Sequence, residues 1–102
     1  MHTDHLLAFE RIAALGSFSR AAQALDIAQP TISARIRALE GAVGGALFVR
    51  GGRGVTLTPL GESFLPFARR ALQVLEEGRA AARLAAAGQG GRVTVGGSAW
   101  RT

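Results

Sequence analysis

The sequence predicts a mainly α-helical protein in which three short helices are followed by a β-hairpin and one long helix. Three observations predict this class. Apolar residues recur at steps of three and four through four stretches of the chain. Two short runs of branched and aromatic residues flank a glycine-rich turn near residue 52. The 102 residues, 48% hydrophobic and 19% charged, suffice for one modest core, and the absence of cysteine excludes disulfides and thiolate metal sites.

The charge balance indicates a polyanionic partner. Twelve basic residues, all of them arginine, stand against seven acidic residues, and the net charge is +5. Such a basic protein is expected to bind a polyanion more often than an average protein does. A basic surface that is merely solvated is the alternative interpretation. Neither a membrane span nor a secretory signal is expected, because the apolar runs are short and the N-terminal stretch carries Asp4, Glu10 and Arg11.

The first two helices are predicted from the spacing of their apolar residues and from the residues at their ends. The first should cover residues 4–15 and end at Gly16, since glycine adopts the left-handed conformation of a helix C-terminus at little cost. The second should lie within residues 17–25, with Ser19 as its N-cap and a central pair of alanines that lets another helix approach closely. A tight turn then leads directly into a third helix.

The third helix is predicted to begin at Pro30 and to stop near Gly44. Its inward face is apolar at helical spacing, formed by Ile32, Ile36, Leu39 and Val43. Its outward face is short-chained and positive, with Thr31, Ala34, Arg35 and Ala38 on it and Ser33 and Arg37 at its edges. Two helices joined in this way form a helix-turn-helix, whose second helix enters the major groove of DNA. Side chains predicted to reach base edges or phosphates are Gln29, Thr31, Ser33 and Arg37.

The hairpin and the long helix complete the predicted fold. Strands are expected at residues 47–50 and 54–57, and the glycine-flanked Arg53 on their turn would form a wing suited to a narrow minor groove. The fourth helix should run from Pro59 to about residue 87, roughly 40 Å. Apolar residues along one side of it are Leu60, Phe64, Ala68, Ala71, Leu72 and Leu75. A helix of this length cannot bury that side against a small head alone, so a partner helix is expected; packing on its own head is the alternative.

The run from Phe9 to Glu40 resembles the N-terminal domain of LysR-type transcriptional regulators. The matching positions are Phe9, Gly16-Ser17-Phe18-Ser19-Arg20-Ala21-Ala22, Leu25, Gln29-Pro30-Thr31-Ile32-Ser33 and Ile36-Arg37-Ala38-Leu39-Glu40. The matches continue through Leu47-Phe48-Val49-Arg50, Arg53-Gly54, Leu57-Thr58 and Gly61-Glu62. The resemblance implies a winged helix-turn-helix over residues 1–58, a linker and dimerisation helix over 59–87, and over 88–102 a hinge with the start of an effector-binding domain.

The resemblance also implies partners. It implies double-stranded operator DNA and a homodimer formed by antiparallel packing of the linker helices, with a tetramer possible in a full-length form. It implies a bacterial, cytoplasmic and nucleoid-associated protein that activates or represses transcription, needs no cofactor, and meets a small co-inducer only through a C-terminal domain beyond this chain.

Site residues are carried over by position. The family's recognition-helix contacts match Gln29, Pro30, Thr31 and Ser33, its next basic residue matches Arg37, and its wing matches Arg50 and Arg53. One departure concerns the arginine that the family often has directly after the serine. Here Ala34 stands there and Arg35 follows, so the side chain is turned by about 100° around the helix. Whether Arg35 recovers that base contact or touches phosphate stays open.

Two other classes of function are the alternatives to DNA binding. In a protein-interaction module, the basic head would be a degenerate binder and the fourth helix would dock on another protein. An enzyme is disfavoured, since the only imidazoles are His2 and His5 near the N-terminus and the carboxylates are scattered. The run Gly51 to Gly54 also lacks the Gly-Lys-Ser/Thr ending of a phosphate-binding loop, so no catalytic residue and no metal ligand is predicted.

Overall fold

The computed structural model describes residues 1–88, which form four helices and one two-stranded antiparallel sheet. In chain order the elements are α1 Thr3–Leu15, α2 Phe18–Leu25, α3 Gln29–Val43, β1 Phe48–Gly51, β2 Gly54–Leu57 and α4 Pro59–Gly88. The predicted fold class is confirmed, and each predicted element is present within about two residues of its expected bounds. Residues 89–102, where the resemblance implies a hinge and the start of an effector-binding domain, lie outside the described residues. Within residues 1–88, no helix is both long and apolar enough to cross a membrane.

The chain divides into two compact units. The first, called the head, comprises Met1–Leu72, and the second begins at Gln73 and includes the rest of α4. The head therefore takes in the first part of α4 as well as the predicted winged domain.

The core of the head is assembled from all three short helices, the start of the hairpin and α4. Its buried side chains are Ala8, Phe9, Ile12, Phe18, Ala21, Ala22, Ile32, Ile36, Leu39, Leu47, Leu65 and Ala68. Phe9 lies at its centre, with its ring centroid 5.4 Å from that of Phe48 and 5.7 Å from that of Phe64. The two alanines predicted to allow close helix packing, Ala21 and Ala22, are both buried.

The turn between α1 and α2 differs from the prediction in its capping residue. Gly16 ends α1 in the left-handed conformation, with φ of 69°, as expected. Ser17, not Ser19, is the N-cap of α2: its backbone is extended and its Oγ accepts a hydrogen bond from Arg20 N at 3.1 Å. The prediction of Ser19 was wrong because the helix begins at Phe18, two residues earlier than a cap at Ser19 allows.

The turn between α2 and α3 is tight, as predicted. Asp26 ends α2 with a left-handed backbone, φ of 57°, and α3 starts at Gln29 with Ala28 as its N-cap. The helix thus begins one residue before the predicted start at Pro30, and Pro30 lies within its first turn. Proline is accommodated there because the backbone N–H that it lacks has no partner within the helix.

The hairpin is attached to both α1 and α3. In its register Phe48 pairs with Leu57 and Gly51 with Gly54. Val55 N donates to Gly16 O at 3.2 Å, and a side chain on Gly54 would meet the same carbonyl oxygen at 2.7 Å. At the other end of the hairpin, Leu47 N donates to Glu40 Oε2 at 2.9 Å. These bonds fix the position of the hairpin beside α3.

Candidate nucleic-acid interface

The outer side of α3 is exposed, while its apolar side is in the core. Ile32 and Leu39 are completely buried and Ile36 is 3% exposed. The exposed residues of this helix before Glu40 are Gln29, Pro30, Thr31, Ala34, Arg37 and Ala38, and Ser33 is half-buried. The centre of the exposed side thus carries the short side chains of Ala34 and Ala38, which would allow another molecule to approach the helix backbone closely.

Arg35 does not lie on the fully exposed side of α3, contrary to the expectation. It is half-buried, and its charge acts on His5 of α1. The pKa of His5 is lowered, first by burial and then by the nearby positive charges of His2, the N-terminus and Arg35. Arg35 therefore lies at the edge of α3 that faces α1, because its position is turned only about 60° from that of the buried Ile32 and about 40° from that of the buried Leu39. Arg37 is the arginine that α3 exposes.

Arg50 on β1 is held against an aromatic ring. Its guanidinium carbon lies 4.2 Å from the ring centroid of Phe18, at the start of α2. Phe18 is only 7% exposed and packs edge-on against Phe48, with centroids 5.7 Å apart. Within residues 1–88, the guanidinium of Arg50 forms no ion pair and no hydrogen bond. The contact links the hairpin to α2 through a nearly buried ring of the core.

Two surface recesses meet at Arg50. The first is bordered by the turn before α2, the start of α3 and the hairpin, and is lined by Ser17, Phe18, Ser19, Gln29, Arg50, Gly51, Gly54 and Val55. The second lies along α3 and is lined by Phe18, Ser33, Ile36, Arg37, Glu40, Ala46, Phe48 and Arg50. The structure thus brings together four of the predicted site residues, namely Gln29, Ser33, Arg37 and Arg50.

The remaining predicted residues lie outside these two recesses. Pro30 and Thr31 are exposed on the first turn of α3. Arg53 is exposed on the two-residue turn of the hairpin, between the paired residues Gly51 and Gly54. Ser17, Phe18 and Ser19 were not predicted as site residues. No spacing rule relates Phe18 to Arg50, which follows it by 32 positions, so this neighbourhood is visible only in the fold.

Ion pairs within the described residues leave the arginines of α3 and the hairpin unneutralised. The pairs join Glu10 to Arg11 and Arg69, and Glu76 to Arg79 and Arg83. The pKa of Arg11 is raised by its hydrogen bond to Glu10. The one acid that lines either recess, Glu40, already accepts a hydrogen bond from Leu47 N. With four arginines and one acid on α3 and the hairpin, and six arginines and six acids elsewhere in residues 1–88, net positive charge is concentrated around α3 and the hairpin.

The residues predicted for dimerisation differ in their accessibility. Ala68 is 1% exposed in the core of the head, and Phe64 is half-buried with its ring stacked on Phe9. Leu72 is half-buried, whereas Leu60, Ala71 and Leu75 are exposed. Ala68 is thus already covered by its own chain, because the head extends further along α4 than residue 58. The large apolar side chains that α4 exposes are Leu60, Phe67, Val74, Leu75 and Leu84.

No group of three or more potential metal-ligating side chains is found within residues 1–88. His2 and His5 have their ring centroids 5.2 Å apart. A pair without a third ligand is not a metal centre of the usual kind.

The arrangement of α1 to α3 with a hairpin beside the third helix is that of winged helix-turn-helix proteins, as solved structures confirm. The DNA-binding domain of CbnR in a complex with DNA superposes with a TM-score of 0.77 and 36% identity, covering 84% of this chain and 99% of that one. The DNA-binding domain of BenM, bound to the catB site 1 DNA, gives a TM-score of 0.79 and 35% identity, covering 84% of this chain and 97% of that one.

The sequence profile of the bacterial regulatory helix-turn-helix proteins of the lysR family matches residues 3–62, and the chain belongs to this family. Among curated relatives, the small neutral protease regulatory protein of Streptomyces coelicolor is 44% identical over 101 residues, which is 99% of this chain and 31% of that protein. The chain thus spans about a third of the length of this relative.

Proposed function

We propose that this chain binds double-stranded DNA sequence-specifically as the DNA-binding part of a LysR-type transcriptional regulator. The observation that carries the proposal is the exposed side of α3, where Gln29, Thr31 and Arg37 project beside a hairpin with two unneutralised arginines. The major groove of B-DNA, about 12 Å wide, accepts one α-helix. The CbnR and BenM structures are complexes with DNA, which supports the same partner here.

Each part of the surface receives a role in this proposal. α3 lies in the major groove, where Gln29, Ser33 and Arg37 read base edges. Pro30 and Thr31 contact the DNA at the start of the helix, and Arg35 contacts phosphate from the helix edge near α1. Arg53, which projects from the hairpin turn, enters the adjacent minor groove, where arginine is favoured by the negative potential. Arg50, on strand β1 of the hairpin, also contacts the DNA.

The proposal includes the assembly of the chain and its setting. Two copies associate through α4, and their recognition helices enter successive major grooves about 34 Å apart on one side of the duplex. In a full-length form, dimers assemble into tetramers, and a co-inducer acts through a domain outside this chain. The protein works in the bacterial cytoplasm, on the nucleoid.

Selection of bound sequences from a random duplex pool tests the proposal. Inverted repeats should be enriched, because a symmetric dimer recognises two equal half-sites. With four to six arginine–phosphate contacts per dimer, the logarithm of the association constant should fall against that of salt concentration with a slope of roughly −4 to −5. A pool that shows no enrichment, together with affinity independent of salt, would leave a protein-interaction module as the better explanation.

Two variants test the division of roles on the selected duplex. Arg53→Ala should weaken binding to the selected and to scrambled duplexes alike, since the minor groove carries little sequence information. Arg37→Ala should cost about 1–3 kcal/mol on the selected duplex and much less on the scrambled one. Electrophoretic mobility shifts with both duplexes measure the difference. Equal losses for the two variants on both duplexes would contradict the assigned roles.

A further inference from the structure

We propose that Arg50 is a preorganised clamp for a single DNA backbone phosphate. This phosphate lies in the recess between the turn before α2 and the start of α3. The inference rests on the proposed function and separates the two arginines of the hairpin. Arg53 is a free side chain that enters a groove, whereas Arg50 is held against the protein and fixes the position of the duplex on it.

The first argument is that the fold already places the exposed Arg50 side chain against an aromatic ring. Its guanidinium carbon lies 4.2 Å from the centroid of a ring that is itself 7% exposed and packed against Phe48. A cation over an aromatic face is attracted by the ring quadrupole, and a guanidinium stacks there better than an ammonium. Ordering a long side chain at the moment of binding has an entropic cost. Because the fold already orders part of the Arg50 side chain, binding costs less conformational entropy.

The second argument is that its hydrogen-bond donors are free. The ring contact uses none of the five guanidinium N–H groups, and within the described residues no carboxylate or carbonyl accepts from them. A planar fork of N–H donors matches two oxygens of one phosphate. Arg70 on α4 shows how different the other arginine–ring contact is: it lies 5.6 Å from the ring centroid of Phe67, a side chain that is 61% exposed.

The third argument concerns the recess on each side of Arg50. The residues that line the recess beside α2 include Ser17, Ser19 and Gln29, and no acid is among them. Hydroxyl and amide groups commonly complete phosphate contacts in protein–DNA complexes. The recess along α3 contains Arg37 but also Glu40, whose carboxylate would repel an anion. The phosphate therefore belongs on the α2 side, where no acid opposes it. Held against Phe18, Arg50 also reaches less far toward base edges than a free arginine does.

The test is a scan of the selected duplex with neutral methylphosphonates, introduced at one backbone position at a time. With the unaltered chain, several positions should weaken binding. Arg50→Gln should lower affinity for the unmodified duplex about tenfold. At one position in each half-site, the methylphosphonate should cause no further loss in Arg50→Gln, because the contact is already gone. Arg70→Gln is the control, since it also removes one positive charge. In this variant, each methylphosphonate should weaken binding as much as it does in the unaltered chain.

Arg50→Lys tests the role of the ring. It keeps the charge but not the planar group, so it should bind the unmodified duplex several-fold more weakly than the unaltered chain, with an unchanged salt dependence. The clamp is overturned if Arg50→Gln removes the effect of the methylphosphonate at no position, or reduces it equally at all positions. It is also overturned if Arg50→Lys binds with full affinity. Both results leave DNA binding by the unaltered chain intact, whereas a chain that binds no duplex overturns the proposed function itself.

Discussion

Gly61 lets the first turn of α4 approach the hairpin more closely than any other residue would. A Cβ atom at this position would collide with the backbone oxygen of Leu47 and lie 2.9 Å from Leu57 Cδ2. Thr58 supports the same contact, since its Oγ1 donates to Ala46 O at 2.7 Å and accepts from Gly61 N at 3.0 Å. The obstacle at Gly61 is backbone, which cannot move aside as a flexible side chain can.

Gly61→Ala should therefore destabilise the protein by about 1–3 kcal/mol, the usual cost of forcing an extra methyl group into a packed region. Urea unfolding at one protein concentration measures the change in free energy. Gly78→Ala is the matched control, because nothing lies within 4 Å of a Cβ atom there. The control should stabilise the helix by about 1 kcal/mol. Equal effects of the two substitutions would mean that α4 does not make this close contact.

Single positions on α3 mark the limit of what spacing can predict. Ile32, Ile36 and Leu39 were assigned to the core from their helical spacing, and all three are buried. Arg35 and Arg37 are two positions apart, and spacing alone placed Arg35 on the outward face. The structure exposes Arg37 and half-buries Arg35 near His5, because the packing of α1 covers that edge of α3.

At the scale of elements, the helices and strands were predictable because their signals are local. Gly16 ends α1, Pro59 begins α4, and a glycine-rich turn joins β1 and β2, all as expected. The start of α2 was less predictable, since two serines two residues apart are both suitable caps. Their backbone conformations decide the matter, and only Ser17 has its Oγ within hydrogen-bond distance of a free backbone N–H, that of Arg20.

Ser17→Ala should therefore cost about 1 kcal/mol of stability, the typical loss for an N-cap hydroxyl. Ser19→Ala should cost less, because its Oγ contacts only that of Ser17, at 3.1 Å, within the described residues. Thermal unfolding followed by circular dichroism compares the two, and both serines have similar surroundings on the same turn. A larger loss in Ser19→Ala would assign the cap to Ser19 after all.

At the scale of the whole molecule, the distribution of charged and apolar surface matters more than its total. The net charge of +5 already indicated a polyanionic partner. Within residues 1–88, α3 and the hairpin carry four arginines and one acid, whereas the rest carries six arginines and six acids, so the net positive charge lies on α3 and the hairpin. Such an arrangement orients a polyanion toward one surface rather than attracting it everywhere.

The exposed apolar residues of α4 make the oligomeric state a testable property. Val74 is 58% exposed and Leu75 is 39% exposed. The double variant Val74→Glu, Leu75→Glu should convert the proposed dimer into a monomer, since charged side chains would have to be buried between two helices. Light scattering after size exclusion at tens of micromolar measures the mass. Binding to an inverted repeat should fall far more than binding to a single half-site.

Ala80→Glu provides the control for added charge. Ala80 is exposed and lies more than 100° around the helix from both Val74 and Leu75. This variant should keep the mass and the affinity of the unaltered chain. A chain that is a stable monomer without any substitution would contradict the homodimer and favour a different partner for α4.

The sequence by itself determined the elements, their order, the inward side of each short helix and the family, because periodicity, caps and turn residues act over a few positions. The tertiary structure decided which residues meet. It placed Phe18 under Arg50, turned Arg35 toward α1, and covered Ala68 and Phe64 with the head's own core. These outcomes depend on contacts between positions far apart in the chain, where the packing of whole helices sets the direction of each side chain.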